Sequence, residues 1–108
     1  MFVLETPKFK RSYKRIILNK HLVLEDERLN AIRTFLADSP NLDKVMHSNY
    51  KYIYHIEKKK ANLKDYYTAR LNSKMRLIMK PSGEYPYNEI EIDEIILEDI
   101  DNRHYGDG

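Results

Sequence analysis

The segment from residue 66 to residue 80 carries two arginines whose spacing would let them bind one anion together. Six residues at odd positions of this segment are apolar or nearly so. A β-hairpin buries all six on one face only if its loop has an odd number of residues, because a slip of one residue would bury the polar set instead. In that register Arg70 lies directly across from Arg76 on the other face. The six residues are Tyr67, Ala69, Leu71, Met75, Leu77 and Met79, and the predicted loop is Asn72-Ser73-Lys74.

Two like charges opposite each other on neighbouring strands destabilise a sheet. A phosphate held between Arg70 and Arg76 would remove that repulsion, and nearby lysines favour this interpretation. Two alternatives stay open: an acidic residue of the last strand supplies the anion, or the two exposed arginines point away from each other. The lysines are Lys58, Lys59, Lys60 and Lys64, which precede the hairpin, and Lys74, which lies in its loop.

Basic and acidic residues are separated along the chain. Residues 1–80 contain 18 of the 19 lysines and arginines but only 8 of the 17 aspartates and glutamates, so their net charge is +10 and that of residues 81–108 is −8. The first part is typical of a protein that binds a polyanion. The acidic part is expected to pair as a strand against the basic body or to limit unspecific binding. Two solvated faces of opposite sign would also produce this separation.

Composition disfavours several classes of function. Without cysteine the chain can have no disulfide, no thiol nucleophile and no cysteine-ligated zinc site. His21, His47 and His55 do not have the spacing of metal ligands, so we expect no metal and no cofactor. The apolar run that opens the chain is too short for a signal peptide or a membrane span. We therefore expect a cytoplasmic protein that does not associate with membranes.

Hydrophobic periodicity and turn residues predict one α+β domain over residues 1–108, with a helical part at 6–47 and a sheet part at 50–105. The predicted order is β-α-α followed by three or four strands, which gives a twisted, mainly antiparallel sheet packed against two N-terminal helices. The elements are a strand at Phe2–Glu5, a helix that starts at Thr6-Pro7, a helix at Leu24–Ala37, a helical turn at Leu42–Met46, a strand at Tyr50–Ile56, the hairpin at 66–80, and a last strand at Glu89–Ile100 with a bulge near Asp93-Glu94.

Residues 55–105 resemble the RelE/YoeB/HigB-type toxins of bacterial toxin–antitoxin pairs. YoeB-like members carry a glutamate five residues before an Asn-Leu pair, which Glu57 matches, and they end in His-Tyr, which His104-Tyr105 matches. The connection from Gly83 to Asn88 is longer than the family pattern, and three residues follow the His-Tyr pair. The matching motifs are, in order, Asn62-Leu63, the aromatic pair Tyr66-Tyr67, Ala69-Arg70-Leu71 and Arg76-Leu77-Ile78.

This resemblance implies a RelE-like fold and a ribosome-dependent mRNA interferase, an endoribonuclease that needs no metal. Glu57 would be the general base for the RNA 2′-hydroxyl, and His104 the general acid for the departing 5′-oxygen. Arg76, with support from Arg70, would hold the phosphate as its charge grows. Tyr105 would orient the phosphate or stack on a base. The implied partners are a cognate antitoxin, mRNA and the ribosomal A site.

Two other functions stay open. A ParE-like relative would share the fold but would poison DNA gyrase by binding to it. A non-catalytic or degenerate relative would bind RNA without cleaving it. Glu57 together with a terminal His-Tyr pair favours the nuclease, because a binding inhibitor needs neither an acid nor a base.

Overall fold

The computed structural model describes residues 1–60 and 65–102. Its strands are β1 (Phe2–Glu5), β2 (Glu57–Lys58), β3 (Tyr67–Arg70), β4 (Arg76–Pro81) and β5 (Glu94–Asp101). Within the described residues these five form one sheet in the order β1-β5-β4-β3-β2. The β1 strand runs parallel to β5, and the other neighbouring pairs are antiparallel. The predicted α+β fold with a mainly antiparallel sheet is therefore confirmed.

The helices are α1 (Pro7–Ser12), which continues as a π-helical segment (Tyr13–Leu18), α2 (Val23–Asp38), α3 (Leu42–Met46) and α4 (Tyr50–Ile53). The α1 helix starts as predicted, because the Thr6 hydroxyl accepts a hydrogen bond from the Phe9 N–H at 3.0 Å and Pro7 occupies the first helical position. The same hydroxyl donates to the Glu98 carbonyl of β5 at 2.9 Å. This cap therefore also attaches the helix to the sheet.

The predicted strand at Tyr50–Ile56 is wrong, because α4 occupies its first half. Tyrosines at every second position fit a strand, but Tyr50 and Tyr54 are also four residues apart, which places them on one side of a helical turn. Both rings pack on Phe35 of α2, with ring centroids at 5.4 Å and 5.9 Å, and they stack on each other at 6.0 Å. Packing against α2 therefore overrides the alternating pattern.

The last strand is shorter than predicted, and its bulge lies elsewhere. Residues 89–92 are not part of β5, because the carbonyls of Glu89 and Ile92 accept hydrogen bonds from the first two residues of α3. The register shift falls where Ile78 pairs with Asp99 and Met79 with Leu97, which leaves Glu98 unpaired. The bulge is thus at Glu98, where the buried positions change from odd to even numbers.

The core lies between the helices and one face of the sheet. It contains the apolar face of the hairpin, the inward residues of β5 and the buried stripes of the two N-terminal helices. Among the described helices, none is long and apolar enough to cross a membrane. The fully buried side chains include Phe9, Ile16, Ile17, Leu29, Ile32, Leu36, Tyr67, Ala69, Leu77, Met79, Ile95 and Leu97.

Candidate nucleic-acid interface

The hairpin formed by β3 and β4 has the predicted register. Arg70 pairs with Arg76, and Tyr67 pairs with Met79. The Leu71 N–H donates to the Met75 carbonyl at 2.9 Å, which closes the three-residue loop. All six residues predicted for the apolar face are buried. The two arginines therefore lie side by side on the face that points away from the core.

Glu57 shares this outer face with the arginine pair. It lies directly opposite Thr68 in the pairing of β2 with β3, and residues two apart on a strand point to the same side. Strand geometry places the Cα of Glu57 about 8 Å from that of Arg70 and about 12 Å from that of Arg76. The fold thus brings a carboxylate and two guanidinium groups, distant in the sequence, to one surface.

The two guanidinium groups have different surroundings. Arg76 Nη1 donates to the carbonyls of Asn72 and Met75 in the hairpin loop, at 3.0 Å and 3.3 Å. Arg70 Nε is buried and has no hydrogen-bond partner among the residues that the structure describes. Asp101 lies opposite Arg76 in the pairing of β4 with β5. The register therefore provides the acidic neighbour that one of the sequence alternatives requires, and it leaves a buried Arg70 donor for an anion.

Glu57 and the predicted lysines that the structure describes lie on or beside β2 and in the hairpin loop. Glu57 is 59% exposed and forms an ion pair with Lys59 at 3.2 Å. The Lys58 ammonium lies 3.4 Å from the Glu89 carboxylate, so it is already paired. Lys60 and Lys74 are exposed. Three predicted site residues, Lys64, His104 and Tyr105, lie outside the described residues.

The α2 helix positions the hairpin through contacts that the sequence did not indicate. Arg28 donates from Nε to the Arg70 carbonyl at 2.5 Å and from Nη2 to the Ile53 carbonyl at 2.7 Å. Its guanidinium also lies 5.3 Å from the centre of the Tyr54 ring. The Asn72 amide donates to the Glu25 carboxylate at 2.8 Å. The arginine pair is therefore held by the first two turns of α2, although no local pattern distinguishes Arg28 from a solvated helix residue.

A second basic surface lies on α1, the π-helical segment and the turn that follows it. Six lysines and arginines, and no carboxylate, occur between Thr6 and Leu24, and all six are exposed. In the described part of the chain only Lys8 of these six forms an ion pair, with Asp99 at 3.5 Å. Asp99 also lines a groove of about 440 Å³ beside these residues. Because Asp99 pairs with Ile78, two residues from Arg76, this groove borders the same region of the sheet as the arginine pair.

A polar network attaches the connection between β4 and β5 to the hairpin. The buried Tyr67 hydroxyl donates to the Glu89 carboxylate at 2.5 Å, and Lys58 pairs with the same carboxylate. Burial raises the pKa of Tyr67 above its ordinary value, and the hydrogen bond to Glu89 raises it further. The phenol is thus held in its protonated form.

We expect Tyr67→Phe to lower the free energy of unfolding by about 1–2 kcal/mol near neutral pH, because the charged Glu89 loses a donor. In the native protein, stability should be constant up to about pH 10, where a phenol ionises in the unfolded chain, and should fall above it. The Phe variant should lose less stability over that range. Urea unfolding between pH 8 and pH 11 would measure both effects. As a control, Tyr52→Phe removes the hydroxyl of a tyrosine that is 72% exposed, and this variant should behave like the native protein. If stability depends on pH in Tyr67→Phe as it does in the native protein, the prediction is wrong.

Within residues 1–60 and 65–102, no cluster of three or more histidines and carboxylates could hold a metal ion. The outer face of the sheet carries a carboxylate and two neighbouring guanidinium groups. Such a surface can bind a phosphodiester and accept a proton beside it.

The chain shares its fold with proteins of known structure, although sequence comparison alone does not find them. No family model matches the sequence, and no curated protein matches it significantly. Among solved structures, YafQ from E. coli strain BL21(DE3) matches with a TM-score of 0.58 at 14% identity, over 93% of this chain and 90% of YafQ. YafQ in the E. coli DinJ–YafQ complex gives the same TM-score, identity and coverage. A YoeB/ParE toxin from Agrobacterium tumefaciens matches with a TM-score of 0.57 at 13% identity, over 97% of this chain and 100% of that chain.

At these identities the comparison establishes a shared fold. The chain has the fold of the YafQ and YoeB/ParE toxins. This is the RelE-like fold that the sequence motifs predicted, and it is reached without detectable overall sequence similarity.

Proposed function

We propose that this chain is the toxin of a type II toxin–antitoxin pair and that it cleaves mRNA on the ribosome. The observation that carries the proposal is the position of Glu57, Arg70 and Arg76 on one face of the sheet, in a fold shared with YafQ and YoeB/ParE toxins. The exposed basic surface of α1, which borders that region, provides further attraction for an RNA backbone.

The reaction requires only groups that this chain and RNA contain. Glu57 accepts the proton of the 2′-hydroxyl, whose oxygen attacks the adjacent phosphorus. Arg76 and Arg70 stabilise the additional negative charge on the phosphate oxygens. The bond from phosphorus to the 5′-oxygen breaks as His104 donates a proton to that oxygen. The products are a 2′,3′-cyclic phosphate and a free 5′-hydroxyl, and no metal or cofactor takes part.

A cognate antitoxin is the expected protein partner. YafQ has been solved in a complex with DinJ, and the fold of this chain is similar over most of both lengths. We therefore expect the chain to inhibit growth when it is produced alone and to be tolerated when its antitoxin is produced with it.

The proposal is tested by a short induction of the chain in bacteria, followed by primer extension on a known transcript. New ends should appear on translated message and should be absent from the same message without a start codon. His104→Ala should lose these ends while the protein still accumulates, because the leaving oxygen then has no proton donor. His21→Ala, which removes an exposed histidine elsewhere, should cleave like the native chain.

Growth arrest with intact message would instead favour inhibition of gyrase, the second function compatible with this fold. That outcome is checked by gyrase supercoiling assays with the purified chain. Cleavage that persists in His104→Ala would leave the nuclease proposal standing but would remove His104 from the reaction.

A further inference from the structure

The connection between β4 and β5 carries two tyrosines beside the open end of the hairpin. Tyr87 is half-buried, and its hydroxyl donates to the Asp65 carbonyl at 3.1 Å. Its ring lies 6.4 Å from the buried ring of Tyr67. Tyr85 packs edge-on against Tyr87 at 5.9 Å and is 47% exposed. The three rings contact one another in series from the buried Tyr67 to the exposed Tyr85, so the core supports the outermost ring.

A further aromatic residue extends this group onto the outer face of the sheet. Tyr66 directly precedes β3, and alternation places it on the same face as Thr68 and Arg70. The Lys80 ammonium lies 6.0 Å from the centre of the Tyr66 ring. The Tyr87 hydroxyl bonds to the carbonyl of Asp65, the residue directly before Tyr66, so the end of the Tyr87 side chain lies beside the backbone that leads into Tyr66. Tyr66 and Lys80 therefore link the aromatic group to the face that carries the arginine pair.

The distance between the two groups suits a single strand of RNA. Tyr66 and Arg70 are four residues apart on one strand, which corresponds to about 13 Å. A few nucleotides of extended RNA cover that distance. Unpaired bases stack on exposed tyrosine rings whatever their identity, and a lysine beside the ring can contact the backbone phosphate. The exposed ring of Tyr85 and the half-buried Tyr66 beside Lys80 provide such surfaces along a path that leads away from the arginine pair.

We propose that Tyr85, with Tyr66 and Lys80, forms a stacking site for an unpaired RNA base that flanks the phosphate held by Arg70 and Arg76. This inference rests on the proposed function and adds to it a means of holding the message beyond the cleaved bond. It gives a role to the connection from Gly83 to Asn88, which is longer than the pattern of the toxins that the sequence resembles.

The test measures binding of a short single-stranded RNA by fluorescence anisotropy. The RNA carries 2′-O-methyl groups, so that no 2′-hydroxyl is available for cleavage. Tyr85→Ala should weaken binding roughly tenfold, because a base loses its stacking surface. Tyr85→Phe and Tyr85→Trp should bind like the native chain, since both keep an aromatic ring. Tyr52→Ala removes a more exposed tyrosine from α4 and should have no effect.

An RNA with one abasic nucleotide, moved along the strand, separates stacking from indirect effects. When the abasic nucleotide occupies the position that faces Tyr85, the native chain and Tyr85→Ala should bind the RNA equally, because the base that Tyr85 would contact is already absent. Native affinity in Tyr85→Ala would overturn the stacking site while the nuclease proposal stands. A native chain that binds no RNA would overturn the stacking site, whereas the nuclease proposal is decided separately by primer extension on translated message. Loss of antitoxin affinity in Tyr85→Ala, with RNA affinity intact, would instead identify a protein-docking surface and overturn the inference.

Discussion

Arg76→Ala is expected to lower the rate of RNA cleavage by about 10²–10³-fold and to abolish growth inhibition. The guanidinium of Arg76 lies at the hairpin loop beside Arg70, where it can approach a phosphate that both residues contact. Its positive charge stabilises the transition state more than the ground state, because the phosphate gains negative charge as the reaction proceeds. Arg76→Lys should recover only part of the rate, because an ammonium keeps the charge but cannot form two parallel hydrogen bonds. Primer extension over a time course of induction measures the rate in cells.

A matched control separates this effect from a general loss of positive charge. Arg15→Ala removes an exposed arginine from the basic surface beside α1, so it should reduce cleavage far less. Thermal unfolding of each variant shows whether the fold persists, since Arg76 also donates to two loop carbonyls. If Arg76→Ala inhibits growth as strongly as the native chain, the arginine pair is not the phosphate site.

Glu57→Gln is expected to lower the cleavage rate by about 10²–10⁴-fold, because an amide cannot accept the proton of the 2′-hydroxyl. If Glu57 serves only as a surface ion-pair partner, the expected effect of this substitution is small. As an exposed partner of Lys59, Glu57 would contribute about 0–1 kcal/mol to stability and nothing to the reaction. The two expectations differ so widely that a single measurement of the cleavage rate distinguishes them. RNA affinity should change little in this variant, since the glutamine has nearly the same shape and carries no negative charge to repel the backbone.

Two further variants define the origin of any Glu57 effect. Glu27→Gln neutralises an exposed carboxylate of α2 and should cleave like the native chain. Lys59→Ala removes the ion-pair partner of Glu57 and should leave most of the activity if the carboxylate itself accepts the proton. A Glu57→Gln protein that cleaves at the native rate would assign the base to another group.

The hairpin could be predicted from the sequence in detail, including the pairing of its arginines. Six apolar residues on one side of a loop with an odd number of residues leave one register that buries them all, so the information is local. The start of α1 was predictable for the same reason, because Thr6 and Pro7 act within one turn of the helix. The fold class follows from the order of these elements together with the family motifs.

Other features depended on contacts between distant residues. The tyrosines from Tyr50 to Tyr54 fit a strand and a helical turn equally well, and only packing on Phe35 selects the helix. The last strand loses residues 89–92 because their carbonyls bind the start of α3. Neither effect is visible in a window of neighbouring residues.

The side-chain pattern alone predicts an α+β fold and an arginine pair on one face of a hairpin, and the resemblance to the toxin family adds that the fold is RelE-like. Only the tertiary structure decides that Glu57 reaches that face, that Arg28 and Glu25 of α2 hold the hairpin, and that Tyr85 is supported by the core. The physical reason is that periodicity determines which side of an element is buried, whereas packing determines which elements meet. A site assembled from β2, β3 and β4 therefore becomes visible once those strands are paired.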